Sequence, residues 1–367
     1  MSRINPRKEL EGMIPYQVGE SLEELKKRYG VAEFYKMSDN ENPYGTSPLV
    51  KEAIQKYSSL VHLYPDGNSS LIVNALSEYH QQPVDRFVIG NGSDEVIRLI
   101  ARAYINSGDE AVMADATFPR YQTNVLLEGG RAVTVPLKNG IHDLGAMQEA
   151  ITESTKMVFV CNPNNPTGTI TGKLELYKFI DSIPENILII VDEAYAEYVT
   201  SIDYLETVQL IDKYPNLVVL RTFSKIYGLA GLRIGYGVMH PDIAAELKKA
   251  KDVFNVNHLA EMAAVAALSD QKFVSASAAN NHSERDHLIS ELHSAGFAPL
   301  PSEANFLFVP LAKSQESIFE AFLKSGILVK MMSLPGFSLG MRVTIGQKEA
   351  NEAFLRVINS FAIERVV

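Results

Sequence analysis

Five short apolar runs, three of them released into turns rich in glycine, proline or asparagine, constrain this chain more than any other feature. They are Phe87-Val88-Ile89, Ala111-Val112-Met113, Ala132 to Val135, Met157 to Cys161 and Ile187 to Val191. Runs of this length suit strands buried on both faces. Helical patterns follow or separate them, at Val96 to Ile100, Leu144 to Ile151 and Lys173 to Ile183. Strand alternating with helix is the pattern of an α/β domain, whose mainly parallel sheet lies between helices. Two further strands are predicted at Val218-Val219-Leu220 and at Leu232 to Val238, on either side of a glycine-rich bend that carries Lys225.

With 367 residues the chain is too long for one ordinary core. Beyond the second of these strands, helices are predicted over 243–254, 257–268, 273–292, 314–325 and 348–361. Strands are predicted over 304–309, 327–331 and 341–345. Ahead of the sheet, Ser21 to Lys27 reads as a short capped helix in an N-terminal arm, followed by helices over 48–57 and 69–80. A hydrophobic fraction of 46% with 21% charged residues describes a soluble globular protein. The formal net charge of −10 argues against nucleic acid or an anionic membrane as the main partner, and leaves room for a local basic pocket. A single cysteine, Cys161, excludes an intrachain disulfide framework and fits a reducing compartment, with the thiol read as structural. The first residues lack the apolar core of a signal peptide and no run reaches membrane-spanning length, so a cytoplasmic location is expected.

Lys225 lies between Thr222 and Ser224 on one side and Arg233 on the other. A buried lysine is costly unless its charge is neutralised, and condensation with an aldehyde is one way to do so. Lys225 is thus a candidate imine partner for pyridoxal phosphate, with Thr222, Ser224 and Arg233 around the phosphate; an ordinary solvated lysine fits the same local residues. In Gly90-Asn91-Gly92-Ser93-Asp94-Glu95 a strand ends in glycines and a helix begins, with Ser93 or Asp94 able to cap it. Free N–H groups there suit an anion. Asn162-Pro163-Asn164-Asn165-Pro166-Thr167-Gly168 is a fixed loop at the carboxyl end of a strand, where α/β proteins place ligands, and Asn165 can offer its amide to a cofactor oxygen. Asp192, at the end of another buried run, can hold a pyridine nitrogen protonated, and Tyr195 follows three residues on. A helix cap, or magnesium on Asp192 and Glu193, are alternatives. No phosphate-loop sequence accompanies the two acids, which discounts nucleotide hydrolysis.

The string from Thr222 to Tyr236, TFSKIYGLAGLRIGY, resembles the lysine segment of fold-type I pyridoxal-phosphate aminotransferases, in particular the histidinol-phosphate aminotransferase family. Matching stretches run in the family's order from Tyr16 to Gly346, nearly the whole chain. The resemblance implies an aspartate aminotransferase-like fold with a seven-stranded-type sheet, divided into an arm (1–36), a large domain (37–255) and a small α+β domain (256–367). It also implies that Phe118, often a tyrosine in the family, stacks on the pyridine and that Tyr195 and Asn165 contact the phenolate oxygen. Ser93, Asp94, Thr222, Ser224 and Arg233 hold the phosphate, joined by Tyr64 from the other subunit of a homodimer. Arg342 then grips the substrate carboxylate, and Lys225 moves the proton. Histidinol phosphate and 2-oxoglutarate are the implied substrates, with Tyr16 near the substrate phosphate. Lys330 departs from the family, which usually carries arginine there; a point ammonium replaces a planar fork. Aromatic amino acids are therefore an alternative amino donor. Decarboxylation of a phosphothreonine-like substrate and a non-catalytic sensing domain are more distant readings; the latter lacks a basic DNA-binding module.

Overall fold

The computed structural model describes residues 4–15, 19–312 and 317–361. After α1 (Leu22–Tyr29), the short β1 (Tyr35–Lys36), α2 (Pro48–Tyr57) and α3 (Ser70–His80), the chain enters the main sheet. It continues through β2 (Phe87–Gly90), α4 (Ser93–Tyr104), β3 (Glu110–Ala114), α5 (Arg120–Leu127), β4 (Arg131–Val135), α6 (Leu144–Glu149), β5 (Thr155–Cys161), α7 (Lys173–Ser182), β6 (Leu188–Asp192), β7 (Leu217–Thr222) and β8 (Gly235–Met239). Then follow α8 (Pro241–Ala250), α9 (His258–Ser269), α10 (Gln271–Ser294), β9 (Phe306–Pro310), α11 (Ile318–Lys324), β10 (Ile327–Leu328), β11 (Lys330–Leu334), β12 (Phe337–Thr344) and α12 (Lys348–Asn359).

The large sheet has seven strands in the order β2-β8-β7-β6-β5-β3-β4. Its five central and edge strands from β7 to β4 pair in parallel, while β8 runs antiparallel to both β7 and β2. The strand period of two divides each run between the two faces. Val158 and Val160 join one core, and Met157, Phe159 and Cys161 join the other. A smaller antiparallel sheet, β11-β12-β9, carries a third core built on Leu307, Val309, Met341, Val343 and Phe354. Packing passes from the large core to the small one inside α10, between Val274 and Leu288, so α9 packs with the large sheet although it follows residue 255. Met37 crosses early: its N–H donates to Leu328 O and its carbonyl accepts from Thr344 N, which ties residues 35–40 to the small sheet.

Ser21 caps α1 in a full capping box with Glu24, as the sequence predicts. Several boundaries differ from expectation, among them the strand predicted over 341–345, which begins at Phe337. The strand predicted from Leu232 starts only at Gly235, because residues 230–232 form a 3₁₀ turn and Arg233 adopts a left-handed φ of 58°. The helix predicted to reach Phe254 ends at Ala250. Lys251 turns extended there, and its ammonium is held by Gly67 O at 3.2 Å and Asn255 Oδ1 at 2.8 Å. The strand predicted over 327–331 is two strands that part at Val329, one pairing with β1 and the other with β12. The helix predicted from Ser314 is described from Ile318, since 313–316 lie outside the described residues.

Candidate active site

The parallel strands aim their carboxyl ends at one place, where a pocket is lined by Ser93, Asp94, Phe118, Cys161, Asn165, Asp192, Tyr195, Thr222, Ser224, Lys225 and Arg233. Asp192 closes β6 beside Cys161 of β5 and Leu220 of β7. Because β8 is antiparallel, its first residue, Gly235, pairs with Thr222 at the end of β7 and with Gly90 at the end of β2. That register brings the start of α4 to the lysine loop.

Two glycines make this close approach possible. A Cβ on Gly92 would overlap the Arg233 guanidinium, and a Cβ on Gly235 would overlap the N–H of Ser93. Gly92 is the N-cap of α4 and Ser93 its first helical residue; neither Ser93 nor Asp94 supplies a side-chain cap, contrary to expectation. The open first turn of the helix, the Arg233 guanidinium and the hydroxyls of Ser224 and Thr222 together form a cradle for an anion. Arg233 Nη1 donates to Ser224 Oγ at 3.2 Å, and the Thr222 hydroxyl accepts from Ser224 N at 3.1 Å. The Asp94 carboxylate is taken up by Arg120 Nε at 3.2 Å, so this residue can serve an anion only through its N–H.

Burial is the first cause of the Lys225 shift, which brings its amine down from 10.5 to about 8; the Arg342 guanidinium adds to it, while Glu41 opposes it. The ammonium reaches the Asp39 carbonyl at 3.4 Å and lies 5.7 Å from the Tyr195 ring centroid. Asp192 moves the other way. Burial raises its carboxyl to about 6, held back by the Tyr121 hydroxyl, which donates to Oδ2 at 2.7 Å, and by Ala194 N, which donates to Oδ1 at 3.1 Å. Glu193 does not share that site: its carboxylate is engaged by buried Arg221 at 2.6 Å and by Thr207 N and Oγ1 at 2.9 and 2.7 Å. The magnesium alternative on paired acids therefore loses one of its ligands. Cys161 is buried with its thiol pushed up to about 12, in keeping with a structural role.

Arg342 of β12 reaches across from the small sheet. Nη1 donates to Asn165 Oδ1 at 2.8 Å and Nη2 to Ser38 O at 2.6 Å. Phe118 stands edge-on to Tyr121. Lys330 pairs directly with Arg342 across β11 and β12, on the same face, and lines a neighbouring cavity with Lys36, Ser38, Asp39 and Leu22. Tyr64 is apart from the pocket, 83% exposed and stacked on Phe254. Tyr16 lies outside the described residues.

Sequence reasoning assigned no role to Tyr121, and for the strap Ser38-Asp39-Asn40 it went no further than a resemblance that places the turn from Ser38 to Pro48 beside the active site. Tyr121 was within reach, one helical turn from Phe118, where it can share a target. The strap reads as a plain turn, yet its three residues contact Arg342, Lys225 and Tyr195 in succession.

The chain matches the aminotransferase class I and II family over residues 32–358. It is 44% identical over 345 residues to the histidinol-phosphate aminotransferase of Moorella thermoacetica, covering 94% of this chain and 89% of the relative. The crystal structure of histidinol-phosphate aminotransferase from Sinorhizobium meliloti, in complex with pyridoxal-5'-phosphate, superposes with a TM-score of 0.89 at 27% identity, covering 99% of both chains. At the level of fold alone, a Thermus thermophilus aspartate aminotransferase superposes with a TM-score of 0.81 at 19% identity, covering 98% and 99%. No helix among the described residues is long and apolar enough to cross a membrane. The chain has the aspartate aminotransferase-like fold and belongs to the class I and II aminotransferases, within the histidinol-phosphate aminotransferase family.

Proposed function

We propose that the protein binds pyridoxal 5'-phosphate in this pocket and moves an amino group between L-histidinol phosphate and 2-oxoglutarate. The observation that carries the reading is the meeting, in one pocket, of a half-buried lysine of lowered basicity, a buried carboxylate and a glycine-backed anion cradle. The residues fit the cofactor: the cradle suits a phosphate dianion, Asp192 has no cationic partner among the described residues, and Lys225 offers an amine lowered to about 8. When bound, the cofactor supplies an aldehyde carbon and an electron-accepting ring. Lys225 Nζ would be the amine that holds the cofactor at that carbon, and would carry the proton removed from the substrate's α-carbon. Asp192 would hold the positive charge at the ring nitrogen, Phe118 would cover a ring face, and Tyr195 and Asn165 would donate to the ring oxygen. Arg342 offers the substrate carboxylate a two-donor fork once it releases Ser38 O and Asn165.

The Lys330–Arg342 register supports two anion sites on one strand pair, one for each end of a phosphorylated amino donor. Lys330→Ala is expected to lower kcat/KM for histidinol phosphate by about 10- to 100-fold, the loss of a charge-assisted contact, and to leave phenylalanine nearly unchanged. Steady-state kinetics with both donors decide this. If phenylalanine is the better substrate of the wild type and the ratio ignores the mutation, the enzyme is an aromatic aminotransferase.

A homodimer with shared sites is supported by the surface around Tyr64, where Val61, Leu63, Val253 and Phe254 are also exposed. Tyr64→Ala and Lys225→Ala subunits, each inactive alone, should on equal mixing recover about a quarter of wild-type activity, since half the dimers would be mixed with one intact site in two. Verified subunit exchange without recovery counts against shared sites. The cytoplasm is the compartment proposed.

A further inference from the structure

We infer that Asn40 and Thr344 dictate where Tyr195 sends its phenolic proton, making that hydroxyl an obligatory donor into the pocket. The inference rests on the reading above that a cofactor with an anionic ring oxygen sits there.

Proton counting along three side chains gives the direction. The Asn40 N–H donates to Thr344 Oγ1 at 2.9 Å, so the threonine hydroxyl must give its own proton elsewhere; Asn40 Oδ1 lies 3.3 Å away. This orients the amide, with its oxygen toward Thr344 and its NH2 toward Tyr195, whose hydroxyl is 3.0 Å from Nδ2. An amide NH2 only donates. The Tyr195 oxygen therefore accepts from Asn40, and its single proton is left for another partner. Tyr195 is 3% exposed, so an unspent phenolic O–H would carry a desolvation cost, and the side that remains is the pocket it lines with Lys225 and Asn165.

Asn165 is oriented by the same rule from the opposite side. A guanidinium has only donors, so Arg342 Nη1 claims Asn165 Oδ1 and leaves the amide NH2 for the pocket. Two neutral side chains, each ambivalent alone, are thus both set as donors, which is what a ring oxygen of negative charge requires. Asn40 is itself clamped. Its carbonyl accepts from Asn305 Nδ2 at 3.0 Å, and its backbone sits at a left-handed φ of 57°, which asparagine tolerates better than most residues. Thr344 belongs to β12 of the small sheet, so the polarity of a large-domain tyrosine is set from the other core. Asn40 and Thr344 are positioning residues, acting through Tyr195.

Asn40→Asp tests this at minimal strain. A carboxylate has no proton to give, so it accepts from Tyr195 and draws the phenolic proton out of the pocket. The readout is the pH midpoint of the bound cofactor's visible absorbance band in the resting holoenzyme, without substrate. A donor at the ring oxygen favours its anionic form and lowers that midpoint. Asn40→Asp and Tyr195→Phe should each raise the midpoint by about one pH unit, and Asn40→Asp should add nothing further in the Tyr195→Phe background. Thr344→Val should shift it in the same direction, while Thr344→Ser, which keeps the hydroxyl, should match the wild type. The proposal is overturned if Asn40→Asp shifts the midpoint equally with and without the Tyr195 hydroxyl, since the new charge would then act directly. It is also overturned if Tyr195→Phe moves the midpoint and neither Asn40→Asp nor Thr344→Val does. Should Asn40→Asp not fold, the Thr344→Val and Thr344→Ser pair decides the same question. A wild-type protein that gains no visible band with added cofactor would instead defeat the cofactor reading itself, a separate and visible result.

Discussion

Lys225→Ala is expected to lower kcat by about 10⁴-fold, the upper range for removing a positioned proton carrier, while the variant still takes up pyridoxal phosphate. Anchor and base are different groups here. The anion cradle of α4, Arg233, Ser224 and Thr222 does not depend on the lysine, so cofactor affinity should survive in reduced form. Borohydride treatment followed by peptide mass spectrometry should place the cofactor's mass on Lys225 in the wild type and nowhere in the variant. The wild-type apoprotein adds a pH signature. Its amine is lowered from 10.5 to about 8, chiefly by burial, so the neutral form that attacks an aldehyde grows as pH rises to about 8 and is dominant above it. Covalent uptake should accelerate up to that point and then level off. The linkage sign agrees: between about 8 and 10.5 the unfolded chain binds the proton that the folded chain has lost, so the unfavourable contribution of this group fades as pH rises through that window. A variant within a hundredfold of wild-type turnover would remove Lys225 from the chemistry.

The sheet was legible because its strands are buried on both faces and written as unbroken apolar runs, and the residues that close them carry the chemistry. Asp192 ends β6, Thr222 ends β7, and the Gly90–Ser93 turn ends β2. These positions follow from local pattern. Arg233 was misread as strand because an arginine gives no local sign of a left-handed backbone; only the cradle behind Gly92 explains it. Helix α8 stops early for a partly similar reason, since one of the two contacts that hold Lys251 comes from Gly67, far back in the chain. Thr344 and Asn40 are a clearer case. Each is an ordinary polar residue in its own segment, and their relation exists only once the small sheet brings together positions 304 residues apart. Tyr64, by contrast, stands outside the pocket within one chain, and its assignment depends on a surface that a second copy would cover.

Asp192→Asn should lower kcat by about 10³-fold, roughly 4 kcal/mol of lost transition-state stabilisation, with a smaller effect on cofactor affinity. Both carboxylate oxygens already accept a neutral donor, Tyr121 at one and Ala194 N at the other, and still burial holds the group at about 6. Such a carboxylate gains most from a cationic partner. A protonated ring nitrogen supplies one, and the pair then remains charged at neutral pH because each member stabilises the other. Asparagine has nearly the same shape and can keep the Tyr121 bond, but the end it then turns to the ring is an NH2 that donates. A donor at the ring nitrogen holds it unprotonated, and an unprotonated ring accepts electron density poorly when the substrate's α-proton leaves. Single-turnover kinetics separate that chemical step from binding, and the cofactor's dissociation constant monitors the site. The loss should be smaller at low pH, where solution protons compete for the ring nitrogen. If Asp192→Asn turns over within tenfold of the wild type at neutral pH, the carboxylate is there for packing and the electron-accepting ring is sustained by another group.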